Sequence, residues 1–319
     1  MILNIINHRN QLLTCSEHPV VSLLKYINRY DNICLCNSLN FQRVNFTEYK
    51  GSECDKELNW LFDCIYSLYG VKVITNKIPD IQNTKELIVD QLLQGMPVLI
   101  FINAYWCPWV MAYKKGKLTP HYVLIVGYNS EGYLCLDMMI DSCECLPYYD
   151  FDAGAKEIFI FEVLEKPTVL LQDKVKFLSQ SLYRVSVKSN NMFNNILRFS
   201  EEIASTFDIN NEIHGYEPYK YAPIFTWLKA VCTARLKYGI VLKDIGEAYY
   251  TDVFQTQINQ LNRLSNEWKH IIIMLFKAVY SNNKKRIYNN IAERLKDLSD
   301  IEKKTFYEIN CNYNMLLNY

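Results

Sequence analysis

The sequence has no sustained apolar run. Its longest stretches, residues 96–101 and 271–276, fall far short of the roughly 20 residues a bilayer-crossing helix needs. The first ten residues lack a basic segment followed by an apolar one, so no secretory signal is expected and the protein reads as soluble and cytoplasmic. An excess of charge is also missing. Lys+Arg and Asp+Glu stand at 34 each, which removes the overall basic balance expected of a nucleic-acid partner. Lys284, Lys285 and Arg286 form a local basic cluster that reads as a solvated helix end. The cysteines number eleven, yet their spacing resembles no disulfide framework. Cys34/Cys36 and Cys143/Cys145 have one intervening residue where structural zinc sites use two to four, so no metal is expected. Trp106-Cys107-Pro108-Trp109 lacks the second thiol of a Cys-x-x-Cys redox pair. No loop of the kind that cradles a nucleotide is present, so no cofactor is expected.

What is present suffices for a large core: half of the 319 residues are hydrophobic and 14% are aromatic, which argues against disorder. At this length two domains are expected. The first half alternates helix and strand patterns. Val20, Leu23, Leu24 and Ile27 predict a helix over about 15–28, and Leu58, Leu61, Phe62, Ile65 and Leu68 another over 55–69, closed by Gly70. A short strand follows at 71–75. A third helix is expected over 84–94, opened by Thr84 and closed by Gly95. Residues 97–102 form a continuous apolar run, hence a buried strand. Strands 121–128 and 132–137, joined by Asn129-Ser130-Glu131-Gly132, predict a hairpin, and 157–163 one more strand. Beyond Lys166-Pro167 the periodicity is helical, with segments near 169–182, 192–206, 222–249, 252–280 and 284–317. The expectation is α+β in residues 1–166 and all-helical in 167–319, without internal repeats or low-complexity linkers.

One constellation carries chemistry. Thr14-Cys15-Ser16-Glu17 fits a capping box that puts Cys15 at the first helical position; alternatively Ser16 caps, with Pro19 in the first turn. Either way Cys15 sits beside unpaired N–H groups at the positive end of a helix, an environment that favours the thiolate. His121 opens the first hairpin strand and Asp137 ends the second, so the two are expected side by side, Asp137 orienting the imidazole and the other ring nitrogen facing a thiol. Asp141 is the fallback orienter and Cys107 an alternative nucleophile. His18, three positions after Cys15, either tunes the thiol or is a helix-surface residue. His8, His214 and His270 show no partner in the sequence. Asp141, Asp150 and Asp152 make a loose acidic loop. Tyr105, Trp106 and Trp109 either line an acyl pocket or pack a seam between domains. Trp227, Trp268 and the tyrosines of the second half read as helix-core stripes.

The stretch Leu92-Leu93-Gln94-Gly95-Met96-Pro97-Val98-Leu99-Ile100-Phe101, followed by Pro120-His121-Tyr122-Val123-Leu124-Ile125-Val126-Gly127-Tyr128 and Leu136-Asp137, resembles papain-like proteins of the double-glycine leader peptidase type. With Cys15-Ser16-Glu17-His18-Pro19 before the first helix it resembles more closely the butirosin-type acyltransferase family, over most of residues 10–165, with the helical remainder matching only as an architecture. The resemblance implies a papain-like cysteine-protease fold, and a cysteine that accepts an acyl group from the phosphopantetheine thioester of an acyl or peptidyl carrier protein and passes it to an amine. Relatives in natural-product assembly include amide-forming enzymes of closthioamide-like pathways. The sequence departs from papain-like hydrolases six residues before the nucleophile, where their oxyanion-donating Gln is replaced by Arg9. Asn10 or Gln11, with the Cys15 N–H, is then the expected oxyanion donor. That departure favours acyl transfer over the alternatives, a cysteine peptidase or amidase and a catalytically inactive binding protein. The helical half is expected to shape the acceptor cleft or to dock the carrier.

Overall fold

The two strands that carry the longest apolar runs form the middle of the sheet. In the computed structural model, which describes residues 1–39, 41, 56–78, 80–111, 113–115, 120–187, 192–217 and 219–318, β2 (Val98–Asn103) and β3 (Pro120–Tyr128) pair antiparallel, with Val98 opposite Ile125 and Ile102 opposite His121. Both faces of these strands are covered, which explains apolar residues without alternation. With β1 (Val71–Lys77), β4 (Gly132–Leu136), β5 (Glu144–Pro147) and β6 (Ala155–Val163) they make a six-stranded antiparallel sheet in the order β1-β6-β2-β3-β4-β5. β1, at the edge, is buried only at Val71 and is otherwise half-buried or exposed. The fold class is α+β.

The helices of this region are α1 (Glu17–Tyr26), α2 (Lys56–Tyr69), α3 (Ile81–Leu93) and α4 (Tyr148–Gly154). Ile88 and Leu92 of α3 and Phe151 of α4 pack on Val98, Ile100, Ile102, Val123 and Ile125, one face of the central strands. Alternate residues of the same strands supply the opposite face, where Phe62 of α2 meets Phe159 and Phe101 meets Tyr122. Helix α1 packs against β3. The N-terminal segment also docks on β3: Leu3 N donates to Val126 O, and Ile2 bridges Gly127. A Cβ on Gly127 would lie 2.4 Å from Met1 O and 2.8 Å from the Ile2 Cα, so only glycine lets the two backbones approach.

Two expectations are corrected. Thr84 does not open α3. Asp80 does, its carboxylate accepting from Gln82 N and Asn83 N, while the Thr84 hydroxyl donates back to Asp80 O. The segment after the hairpin is not a loose acidic loop. It forms β5 and α4, in which Asp150 is buried, accepts from Tyr113 Oη and pairs with Lys114, and Asp152 pairs with Lys85. Residues 32–39 form a 3-10 helix that the sequence reading left unassigned.

By Cα proximity the chain divides into two units, Met1–Cys34 with Glu48–Pro167, and Leu35–Thr47 with Thr168–Tyr319. The excursion of Leu35–Thr47 into the second unit was not expected. Phe41 explains it: fully buried, its ring lies 4.9 Å from Trp227 and 5.0 Å from Trp268, and Asn195 Nδ2 donates to its carbonyl. The described helices of the second unit are α5 (Leu171–Val187), α6 (Met192–Ser205), α7 (Ile209–Ile213), α8 (Pro223–Ala248), α9 (Gln255–Tyr280) and α10 (Lys284–Leu317). No described helix is long and apolar enough to cross a membrane.

Candidate active site

Cys15 owes its place to the chain turn before α1. Thr14 N donates to Glu17 Oε2 at 2.8 Å, and Glu17 N donates back to Thr14 Oγ1 at 3.3 Å. These are the two reciprocal bonds of a capping box, and Ser16 makes no capping bond. The reciprocal pair holds Cys15 half-buried at the head of α1. Its N–H and that of Ser16 have no hydrogen-bond partner among the described residues. Such groups at a helix start favour negative charge nearby.

His121 and Asp137 come together as expected, but not as directly opposed residues. β3 carries a bulge between Ile125 and Gly127, and Leu124 pairs with Leu136. Extending that register by one residue sets Asp137 opposite Val123, two positions from His121 on the same face. The side chains meet along this diagonal. His121 Nε2 and Asp137 Oδ2 lie 2.5 Å apart, both buried. The Cys15 side chain lies close enough to the imidazole to favour its charged form. Burial works against the cationic form of His121. Even so, the charge and hydrogen bond of Asp137, aided by Cys15, raise its pKa well above the ordinary value. Burial likewise opposes the Asp137 carboxylate, but the His121 charge and bond, the Trp109 N–H and the Met139 N–H outweigh it, and its pKa falls.

Asp137 is held on every side. Trp109 Nε1 donates to Oδ2 at 2.7 Å and Met139 N to Oδ1 at 3.0 Å. Asn7 Nδ2 donates to the backbone oxygens of Asp137 and Ile140 at 3.1 and 2.8 Å. The Asn7 amide oxygen therefore faces the other way, toward His18 Nε2 at 2.6 Å, so His18 must donate through Nε2. His18 is not a helix-surface residue: it is 1% exposed, its Nδ1 has no partner, and burial lowers its pKa to about 4. One neutral histidine on the helix that follows Cys15 and one asparagine thus tie α1 to the Asp137 turn. Sequence reasoning missed Asn7 altogether, since nothing in its neighbourhood marks it. His18 carried a signal, the i+3 spacing from Cys15.

The remaining candidates separate. Asp141 forms an ion pair with Arg9 at the surface, so the fallback orienter is not at the imidazole. Cys107 is fully buried near His121, and burial pushes its thiol up to about 12, which disfavours it as a nucleophile. Trp109 packs on the sheet core and orients Asp137. Trp106 lies edge-on to Tyr105 and Tyr149, and a Cβ on Gly154 would meet its side chain at 2.6 Å. Asn10 and Gln11 are exposed and line a groove that Cys15 does not line; Asn10 Oδ1 accepts from Leu12 N. Neither amide bonds to Cys15 or His121. His8 does have a partner, Lys25, and His270 lies 3.9 Å from Glu267. Among the described residues no cluster of three or more His, Cys, Asp or Glu side chains is placed to hold a metal. No protein-family model matches the chain, and no curated protein matches it in sequence.

Proposed function

We propose that the protein is a cysteine-dependent acyltransferase that forms an amide in natural-product assembly, taking an acyl group from a carrier-protein thioester onto Cys15 and delivering it to an amine. One observation carries this reading. The His121 imidazole is bound to a buried carboxylate and lies near the Cys15 side chain, which sits half-buried at a helix start. The order of parts, nucleophile on the first helix and base and orienter on neighbouring later strands, supports a papain-like arrangement.

The chemistry follows from the charges. In the proposed cycle the Cys15 sulfur is the nucleophile and the His121 imidazolium beside it gives up and recovers the proton. The Cys15 sulfur attacks the thioester carbonyl, a new C–S bond forms, and the donor's C–S bond breaks as its sulfur takes the His121 proton. An amine then attacks the acyl-enzyme and gives its proton to the neutral imidazole. The Cys15 C–S bond breaks, restoring thiolate and imidazolium. Asp137, fixed by Trp109, keeps the ring in the tautomer this cycle needs. The Cys15 N–H is the backbone donor best placed for the oxyanion.

The reading is tested by mixing the protein with acyl-loaded carrier proteins and candidate amines and identifying products by mass spectrometry. Amide product that requires both Cys15 and His121 is expected. Free acid alone, at a rate indifferent to amine, would make it a hydrolase instead. Carrier-bound acyl groups left untouched while the protein forms a stable complex would mean a binding protein.

A further inference from the structure

Beside the Cys15 helix lies an open groove of about 540 Å³. Its wall includes His8, Arg9, Asn10, Gln11, Lys25 and Tyr30, and no carboxylate lines it. The same N-terminal segment runs on into the active site, since Asn7 and Arg9 bond to the backbone of residues 137–140.

The polar groups of this groove are mismatched in one direction. Lys25 Nζ touches His8 Nδ1 at 3.4 Å and the Tyr30 ring at 4.9 Å, and has no carboxylate partner among the described residues. An ammonium can only donate, so His8 Nδ1 accepts and its proton sits on Nε2, which has no partner there. Burial and Lys25 lower the His8 pKa, keeping the ring neutral in that tautomer. Asn10 spends its amide oxygen on Leu12 N, which leaves its NH2 free, and the Gln11 amide makes no hydrogen bond. The groove thus offers an ammonium and several N–H donors against one free side-chain amide oxygen, that of Gln11, in a chain whose total charge is balanced. A ligand made only of acceptor oxygens and carrying negative charge complements this set, and a phosphate group, with oxygens pointing several ways, can meet donors from several sides.

We propose that this groove binds a phosphate group. Two sources fit the chemistry, a phosphate on the handle of the acyl donor, which rests on the transferase reading, and a free phosphate acting as an effector.

The test uses the full chain. Inorganic phosphate is titrated calorimetrically into wild type, Lys25→Met and Lys25→Arg, with thermal melting to confirm that each is folded. Saturable binding is expected, weakened about tenfold or more in Lys25→Met and restored in part by arginine. Absent saturation, or equal affinity in wild type and Lys25→Met, overturns the site. The source is then read from acyl transfer with acetyl-coenzyme A and with a phosphate-free N-acetylcysteamine thioester. A KM rise in Lys25→Met that is several-fold greater for the phosphate-bearing donor assigns the groove to the donor. Equal effects on both, with phosphate binding still weakened, assign it to a free anion. If neither thioester acylates Cys15, the transferase reading fails while the titration still decides the groove.

Discussion

Asp137 in the first unit and Glu302 in the second are both buried carboxylates, each paired with a basic side chain and each accepting a tryptophan N–H at 2.7 Å. Glu302 takes Arg235 Nε at 2.9 Å and Nη2 at 2.7 Å, while Arg235 Nη1 donates to Val231 O, and both residues are fully buried. That group is enclosed: the carboxylate accepts from Arg235 and Trp268, and both ionised side chains are fully buried. Asp137 is bound as firmly, but its partner is an imidazole with a second nitrogen, and a half-buried cysteine lies near that ring. The same pairing of carboxylate, indole and base therefore locks a helix packing in one place and, on the proposed mechanism, orients the catalytic imidazole in the other. What differs is whether a valence is left over.

Breaking each group should give opposite symptoms. Asp137→Asn should cost about 10⁴-fold in kcat, because the amide no longer holds the productive tautomer. It should also move the alkaline limb of the pH–rate profile to lower pH. His121 has a raised pKa only because Asp137 and Cys15 outweigh burial, so its proton, and the stability linked to it, is present below about 6.5 and lost as pH rises through the raised value. Asp137 contributes in the other direction, above the ordinary carboxylate range, and its share is lost as pH falls through the lowered value. A profile of Asp137→Asn with an unmoved alkaline limb would contradict the pairing.

Glu302→Ala should instead lower stability by about 3–5 kcal/mol in denaturant unfolding, because Arg235 is left buried and uncompensated. The rate per folded molecule should hold, with the pH profile in place. Replacing both partners, Arg235→Met with Glu302→Leu, should recover most of the loss.

His18 sharpens the comparison at lower pH. Its pKa is lowered to about 4, so between about 6.5 and 4 the unfolded chain takes up a proton that the folded one refuses. Stability should fall across that window by about 3 kcal/mol. His18→Gln, which can still donate to Asn7, should flatten the fall while keeping the alkaline limb; His18→Leu should flatten it but disturb that limb. The smallest effect belongs to Trp109→Phe, about tenfold in kcat, from the loss of one charge-assisted bond to Asp137.

Much of this architecture was legible in local pattern. The all-apolar runs of β2 and β3 and the 3.6-residue periods of α8, α9 and α10 are strong signals, because burial on two faces or on one stripe dictates residue type. Thr14 and Glu17 announced the capping box. What was not legible depends on distant partners. The turn pairs Tyr128 with Tyr133, a register that would set Asp137 opposite Leu124; the bulge after Ile125 moves it opposite Val123, on the face of His121, and nothing in residues 121–137 marks that bulge. Trp109 read as an acyl-pocket or seam residue because its N–H acceptor lies 28 positions away. Asn7 was silent for the same reason, its targets being backbone oxygens 130 and 133 residues distant. Phe41 shows the same limit at larger scale, since its aromatic neighbours in the second unit begin at Phe199.

The most direct test of the account is intact-protein mass spectrometry after a brief exposure to an acyl thioester, followed by peptide mapping. A single acyl adduct on Cys15, absent in Cys15→Ala, slowed in Asp137→Asn and discharged by added amine, is the predicted result. An adduct that persists in Cys15→Ala, or maps to Cys107, would contradict it.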